Sequence, residues 1–167
     1  MHFYQDLIQL FNTCFESTHH TQLVCGDDEP IYLPADDVRS HHTIVFAHGF
    51  FSSALHECAH WLIAGDERRK QVDYGYWYVP DGRTAEQQAQ FQQVEVKPQA
   101  IEWMLSMAAG YKFQFSIDNL NGVETDSEPF KQAVQQQVLL YTQQGLPARA
   151  ALFHKAISDF YAPQLER

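Results

Sequence analysis

A chain of 167 residues suits one hydrophobic core better than two, so a single domain over residues 1–167 is expected. With 45% hydrophobic and 14% aromatic residues the composition is too rich for a disordered protein and suits a globular one. The net charge of −10 repels nucleic-acid phosphates, so no direct nucleic-acid contact is expected and a cationic partner is favoured.

Phe3, Leu7, Ile8, Leu10, Phe11, Cys14 and Phe15 recur at helical spacing and predict an amphipathic first helix. Residues 22–47 read as extended. Strands are expected at Gln22–Cys25, Ile31–Leu33 and Thr43–Phe46, separated by the turn signals Gly26-Asp27-Asp28 and Pro34-Ala35-Asp36-Asp37. A helix capped by Ser52 or Ser53 then runs to Gly65, its apolar stripe being Leu55, Ala59, Leu62 and Ile63. Val72–Val79 is aromatic and β-prone. Thr84 with Gln87 forms a capping box for the next helix, which Pro98 should interrupt before it resumes to Gly110. Two more helices are expected, one capped by Ser127 and ending at Gly145, the other starting at Pro147. The fold class is therefore α+β, a short mixed sheet packed with helices.

The longest apolar runs fall far short of the roughly 20 residues that cross a bilayer, so no membrane partner is expected. No basic and apolar leader opens the sequence, and Cys14, Cys25 and Cys58 show no paired spacing. A reducing cytoplasm is the expected compartment.

His56-Glu57-Cys58-Ala59-His60 lies on the helix that follows the strands. Residues four apart project from one face, so His56 and His60 can reach one divalent ion through their imidazole nitrogens. Glu57 lies about 100° around the helix, within reach of a metal-bound water. Two ligands do not hold an ion, and the candidates for a third are Glu86, Glu95, Glu102, Asp118 and His154. Glu95 leads because Val94 and Val96 flank it, and a buried carboxylate needs a partner. Glu102 is the reserve. Two histidines and a carboxylate serve non-haem Fe(II) oxygenases, and they also serve zinc hydrolases with Glu57 as general base. The motif does not choose between a hydroxylase and a zinc peptidase or endoribonuclease.

Tyr74, Tyr76 and Trp77 are substrate-binding candidates, because alternation exposes one side of their strand and aromatic faces attract ammonium groups. Asp118, with Asp73, Asp81 and Glu124, could add negative charge around a cationic side chain.

Several strings carry a resemblance to a known family. They are Gly26 to Asp36, Ile44 to Phe50, His56 to Trp61, Tyr74 to Tyr78, Pro80 to Arg83 and Val94 to Ala100. Together they resemble the elongation factor P hydroxylase family. The resemblance implies hydroxylation of the β-lysylated lysine of translation elongation factor P, with O₂ as co-substrate. It implies a zincin-like, metal-dependent endoribonuclease-like metal helix, with His56, His60 and Glu95 as ligands of Fe(II). Another divalent ion can occupy such a site in purified protein. An acidic, aromatic-lined mouth suits a long arm with two ammonium groups.

Overall fold

The computed structural model describes residues 1–73, 82–117, 122 and 126–166. Helix α1 (Tyr4–His19) buries Leu7, Phe11 and Phe15, one turn apart, on a single face. His20 closes it in the left-handed conformation, and its carbonyl accepts from the His42 amide. Strands β1 (Thr21–Cys25), β2 (Ile31–Leu33) and β3 (His42–Phe46) follow, within a residue of the expected limits. They form a mixed sheet in the order β1-β3-β2, with β1 parallel and β2 antiparallel to β3. The outer edge of β2 is met by Asp73, which pairs with Tyr32. The rest of the expected fourth strand, residues 74–79, lies outside the described residues.

Two left-handed residues, His48 (φ 63°) and Gly49 (φ 65°), turn the chain from β3 into α2 (Phe51–Ile63). Neither Ser52 nor Ser53 caps this helix; Phe50 is its N-cap and contributes no side-chain bond. The start is set by packing instead, because the buried Phe51 ring meets Tyr111 at 4.9 Å and Tyr161 at 6.2 Å. The helix also stops short of Gly65. Arg149 of the last helix donates to the Trp61 and Ala64 carbonyls at 2.8 and 2.6 Å, satisfying the helix end with a cation that suits its dipole.

Helix α3 (Ala85–Ala109) starts at the expected Thr84–Gln87 capping box and ends at left-handed Gly110. Pro98 does not break it. An interior proline costs about 3 kcal/mol, but α3 packs on α2, α4 and α5 along its length, and that burial holds it continuous. Helix α4 (Glu128–Gln144) begins beside Ser127, although the bond to its first amide comes from Asp126. Helix α5 (Ala148–Leu165) follows Pro147.

The main core joins α1, α2, α5 and the inner face of the sheet. At its centre Trp61 meets Phe11 at 5.2 Å and Phe15 at 4.9 Å, and Phe153 meets Phe11 at 5.5 Å. Leu23, Ile44 and Phe46 supply the sheet's share. Cys58, on the same helix as His56, points into this apolar mass. A second cluster, Ala100, Phe130 and Val134, joins α3 to α4. Helix α2 is thus clamped between the core and α3. The architecture is α+β, and among the described residues no helix is long and apolar enough to cross a membrane.

Candidate metal centre

His56 and His60 stand one turn apart on the face of α2 turned towards α3, their ring centroids 4.8 Å apart. Helix α3 presents Glu95 and Glu102, two turns apart on one of its own faces. The helices run antiparallel here, so the pairs cross in order. His60 Nε2 lies 3.0 Å from Glu95 Oε1, and His56 Nδ1 lies 2.8 Å from Glu102 Oε2. Glu95 is fully buried and Glu102 nearly so. Carboxylates are held at such depth only by strong partners.

One donor atom from each of His56, His60 and Glu95 lies within 4.8 Å of the other two. Metal bonds of about 2.1 Å place adjacent donors roughly 3 Å apart. The His60–Glu95 pair already has that spacing, and small rotations would bring the His56 donor to it. A nitrogen and oxygen donor set without thiolate fits Fe(II) and other borderline divalent ions. Glu102 does not belong to this set. It occupies the other side of the His56 ring: an ionised carboxylate only accepts, so Nδ1 donates to it and Nε2 is the nitrogen left to meet a metal. Glu95 is oriented too, since its second oxygen accepts from Gln99 Nε2 at 3.2 Å.

The site gathers the carboxylates of Glu57, Glu95 and Glu102 around two imidazoles. Burial disfavours charge on His56, but Glu102, by charge and hydrogen bond, outweighs it with help from Glu95 and Glu57, and the pKa rises to about 10. Burial raises the pKa of Glu57; the two histidines pull it down, while Glu95 and Glu102 push it further up. In both cases the folded protein holds a proton more tightly than the free side chain. An excess of buried negative charge held by protons is an environment a divalent cation would relieve.

His56, Glu57, Glu95 and Glu102 line the floor of a cavity of about 710 Å³. Its walls include Ser52 and Ser53 of α2, Arg83 and Phe91, and the run Tyr111 to Ser116. Glu57 lines this cavity and also a small one of about 30 Å³ behind it, where His60 sits with Tyr32, Trp61 and Asp73. The described walls are part aromatic and part acidic. Of the expected substrate contacts, Tyr74, Tyr76, Trp77 and Asp118 lie outside the described residues, as do Asp81 and Glu124. Asp73 bonds Arg68 at 2.8 Å and pairs with β2, a structural placement. Glu86 and His154 lie outside the ligand set.

Sequence reasoning passed over Gln99, Arg83 and the extended run 111–116. Gln99 stands four residues from Glu95, a helical spacing that could have marked it. Arg83 is 1% exposed, lies 3.9 Å over the Phe91 ring and bonds Gln88. Nothing in its surroundings in sequence predicts such burial.

The family described as "Elongation factor P hydroxylase" matches residues 10–167. A protein of Haemophilus influenzae named "Elongation factor P lysine hydroxylase" is 56% identical over 163 residues, covering 98% of this chain and 92% of its own length.

Proposed function

The chain belongs to the elongation factor P hydroxylase family, and from that premise we propose how it acts. It hydroxylates a lysine of translation elongation factor P, and it does so with Fe(II) held by His56, His60 and Glu95. The observation that carries this reading is the convergence of those three side chains from two antiparallel helices, His56 and Glu95 lining the larger cavity and His60 the small one behind it.

Ferrous iron held by two histidines and one carboxylate would supply the activation of O₂, with O₂ as the oxidant and an external reductant furnishing the other two electrons needed to hydroxylate an unactivated carbon–hydrogen bond. The protein's residues do the rest. Glu102 fixes the tilt of His56 and the nitrogen it presents, and Gln99 fixes the second oxygen of Glu95. Glu57, whose raised pKa suits a carboxyl that holds a proton, faces the cavity and can relay one at its carboxylate. Phe91, Phe113 and Phe115 exclude water from the walls. The acidic floor attracts a cationic side chain, which suits a β-lysylated lysine with its two ammonium groups. A volume near 710 Å³ accommodates so long an arm. The likeness of α2 to the metal helices of zincins and metal-dependent endoribonucleases, and a cytoplasmic location beside the translation machinery, belong to this same proposal.

The test is direct. Purified protein loaded with Fe(II) and given O₂ and a reductant should add one oxygen atom to β-lysylated elongation factor P, read by intact mass. An unchanged mass with iron verified in the protein would overturn the reading. Turnover with zinc in the absence of O₂ would instead favour a hydrolase using Glu57 as base.

A further inference from the structure

Gln99 stands one helical turn after Glu95 on α3 and is fully buried. A buried amide needs partners for its polar atoms. Gln99 Oε1 accepts from the Ser116 backbone amide at 3.1 Å. Its Nε2 donates to the Ser116 carbonyl at 2.8 Å and to Glu95 Oε2 at 3.2 Å. The run that carries Ser116 is itself held on α3. The Tyr111 amide donates to the Ser106 carbonyl at 2.8 Å, and Phe113 stacks on Trp103 at 5.1 Å with 10° between the planes.

The two backbone bonds decide which end of the amide meets Glu95. A peptide N–H only donates and a peptide carbonyl only accepts, so Ser116 fixes where the oxygen and the nitrogen of Gln99 lie. Turning the amide over would set oxygen against carbonyl and N–H against N–H, and both bonds would be lost. One hydrogen of Nε2 is taken by Ser116, and the other is left for Glu95. The two oxygens of Glu95 are therefore unlike. Oε1 is turned to His60 Nε2 at 3.0 Å, while Oε2 faces a donor that its own surroundings hold in place.

We propose that Gln99 sets the denticity of Glu95: it keeps Oε2 from the metal, so that Glu95 ligates through Oε1 alone and a further coordination position stays open. The inference rests on the reading of His56, His60 and Glu95 as the ligand set. A carboxylate can hold an ion through one oxygen or through both. A Glu95 bound through both would fill a position that O₂ or substrate needs. The bond from Gln99 to an ionised oxygen is charge-assisted, which lets it compete for Oε2. Gln99 is not among the residues that line the cavity, so it is a positioning residue that acts through Glu95. Gln99 and Glu102, three residues apart on α3, thus orient one ligand each.

A crystal structure of the full-length protein loaded with Co(II), which stands in for Fe(II) and absorbs visible light, tests this. Glu95 should bind the ion through Oε1 alone, with Oε2 still on Gln99. Gln99→Met keeps the length of the side chain and removes the donor, so both oxygens should reach the ion. The visible absorption of Co(II) weakens as its coordination number rises, and Gln99→Met should therefore lose intensity. Phe113→Leu loosens the same wall from Trp103 but leaves the amide in place, so its spectrum should match that of the unaltered protein. The unaltered protein decides the matter even where Gln99→Met fails to fold. If Glu95 binds through both oxygens there, or if the Gln99→Met spectrum is unchanged, Gln99 has no such role and the ligand set stands. If Co(II) binds away from His56, His60 and Glu95, the ligand set falls and the role of Gln99 with it.

Discussion

The Glu102 carboxylate stands 2.8 Å from Nδ1 of His56 and so dictates which nitrogen of that ring is free for a metal. The contact joins residues 46 positions apart, and it gives Glu102 a different task from Glu95 although both acids are buried on one face of α3.

Replacing Glu102 by Gln should leave the fold intact and weaken metal binding by about 10–100-fold, the usual consequence of losing a partner that orients a ligand. Glu102→Asp, which keeps the charge at a shorter reach, should recover part of the loss. Anaerobic Fe(II) titration against a competing chelator reads the affinity, and an unchanged affinity in Glu102→Gln would remove Glu102 from this role.

His56→Ala, His60→Ala and Glu95→Ala should each bring bound metal well below one equivalent, because two remaining ligands do not hold an ion. Glu57→Gln should retain metal and lose turnover. Metal analysis of the four purified variants separates the groups; full metal content in Glu95→Ala would transfer the third ligand to another acid.

The stability of the metal-free protein should fall as pH rises. The folded pKa of His56 is about 10 against an ordinary 6.5, so its protonated contact is fully stabilising below pH 6.5 and is lost as pH climbs towards 10. Glu57, also raised, acts in the same direction from lower pH. A divalent ion takes the place of the His56 proton, so the rise in Tm on adding metal should grow with pH over that window. Thermal scans with and without metal report both trends, and a metal-free Tm that rises with pH would contradict this electrostatic picture.

Arg149→Ala should cost about 1.5–3 kcal/mol, since it removes charged hydrogen bonds from two carbonyls at the end of α2. It also removes the guanidinium 4.6 Å over Trp61. Chemical denaturation measures the loss; a change below about 0.5 kcal/mol would mean that packing alone holds the end of α2.

Much of the local structure was legible in the residues. The three strands, the first helix and the Thr84–Gln87 start of α3 follow from periodicity and turn chemistry, which act over a few residues. The expectations that failed are those where distant contacts outweigh local preference. Ser52 and Ser53 look like caps, but the burial of Phe51 sets the start of α2. Pro98 looks like a break, but α3 is packed on neighbouring helices on either side of it.

The candidate site divides in the same way. His56 and His60 are four residues apart on one helix, so the sequence by itself determined that they share a face, and an acidic chain pointed to a cationic substrate. That Glu95 reaches His60 and Glu102 reaches His56 was decided only by the antiparallel crossing of α2 and α3. The acids stand two turns apart on α3, and helical spacing alone makes both equally able to reach the histidines. The run 111–116 likewise lines the cavity only because Gln99 and Trp103 hold it against α3. Hydrogen bonding and burial across long stretches of chain belong to tertiary structure, since no local pattern of residue types specifies which distant partner a buried polar group will meet.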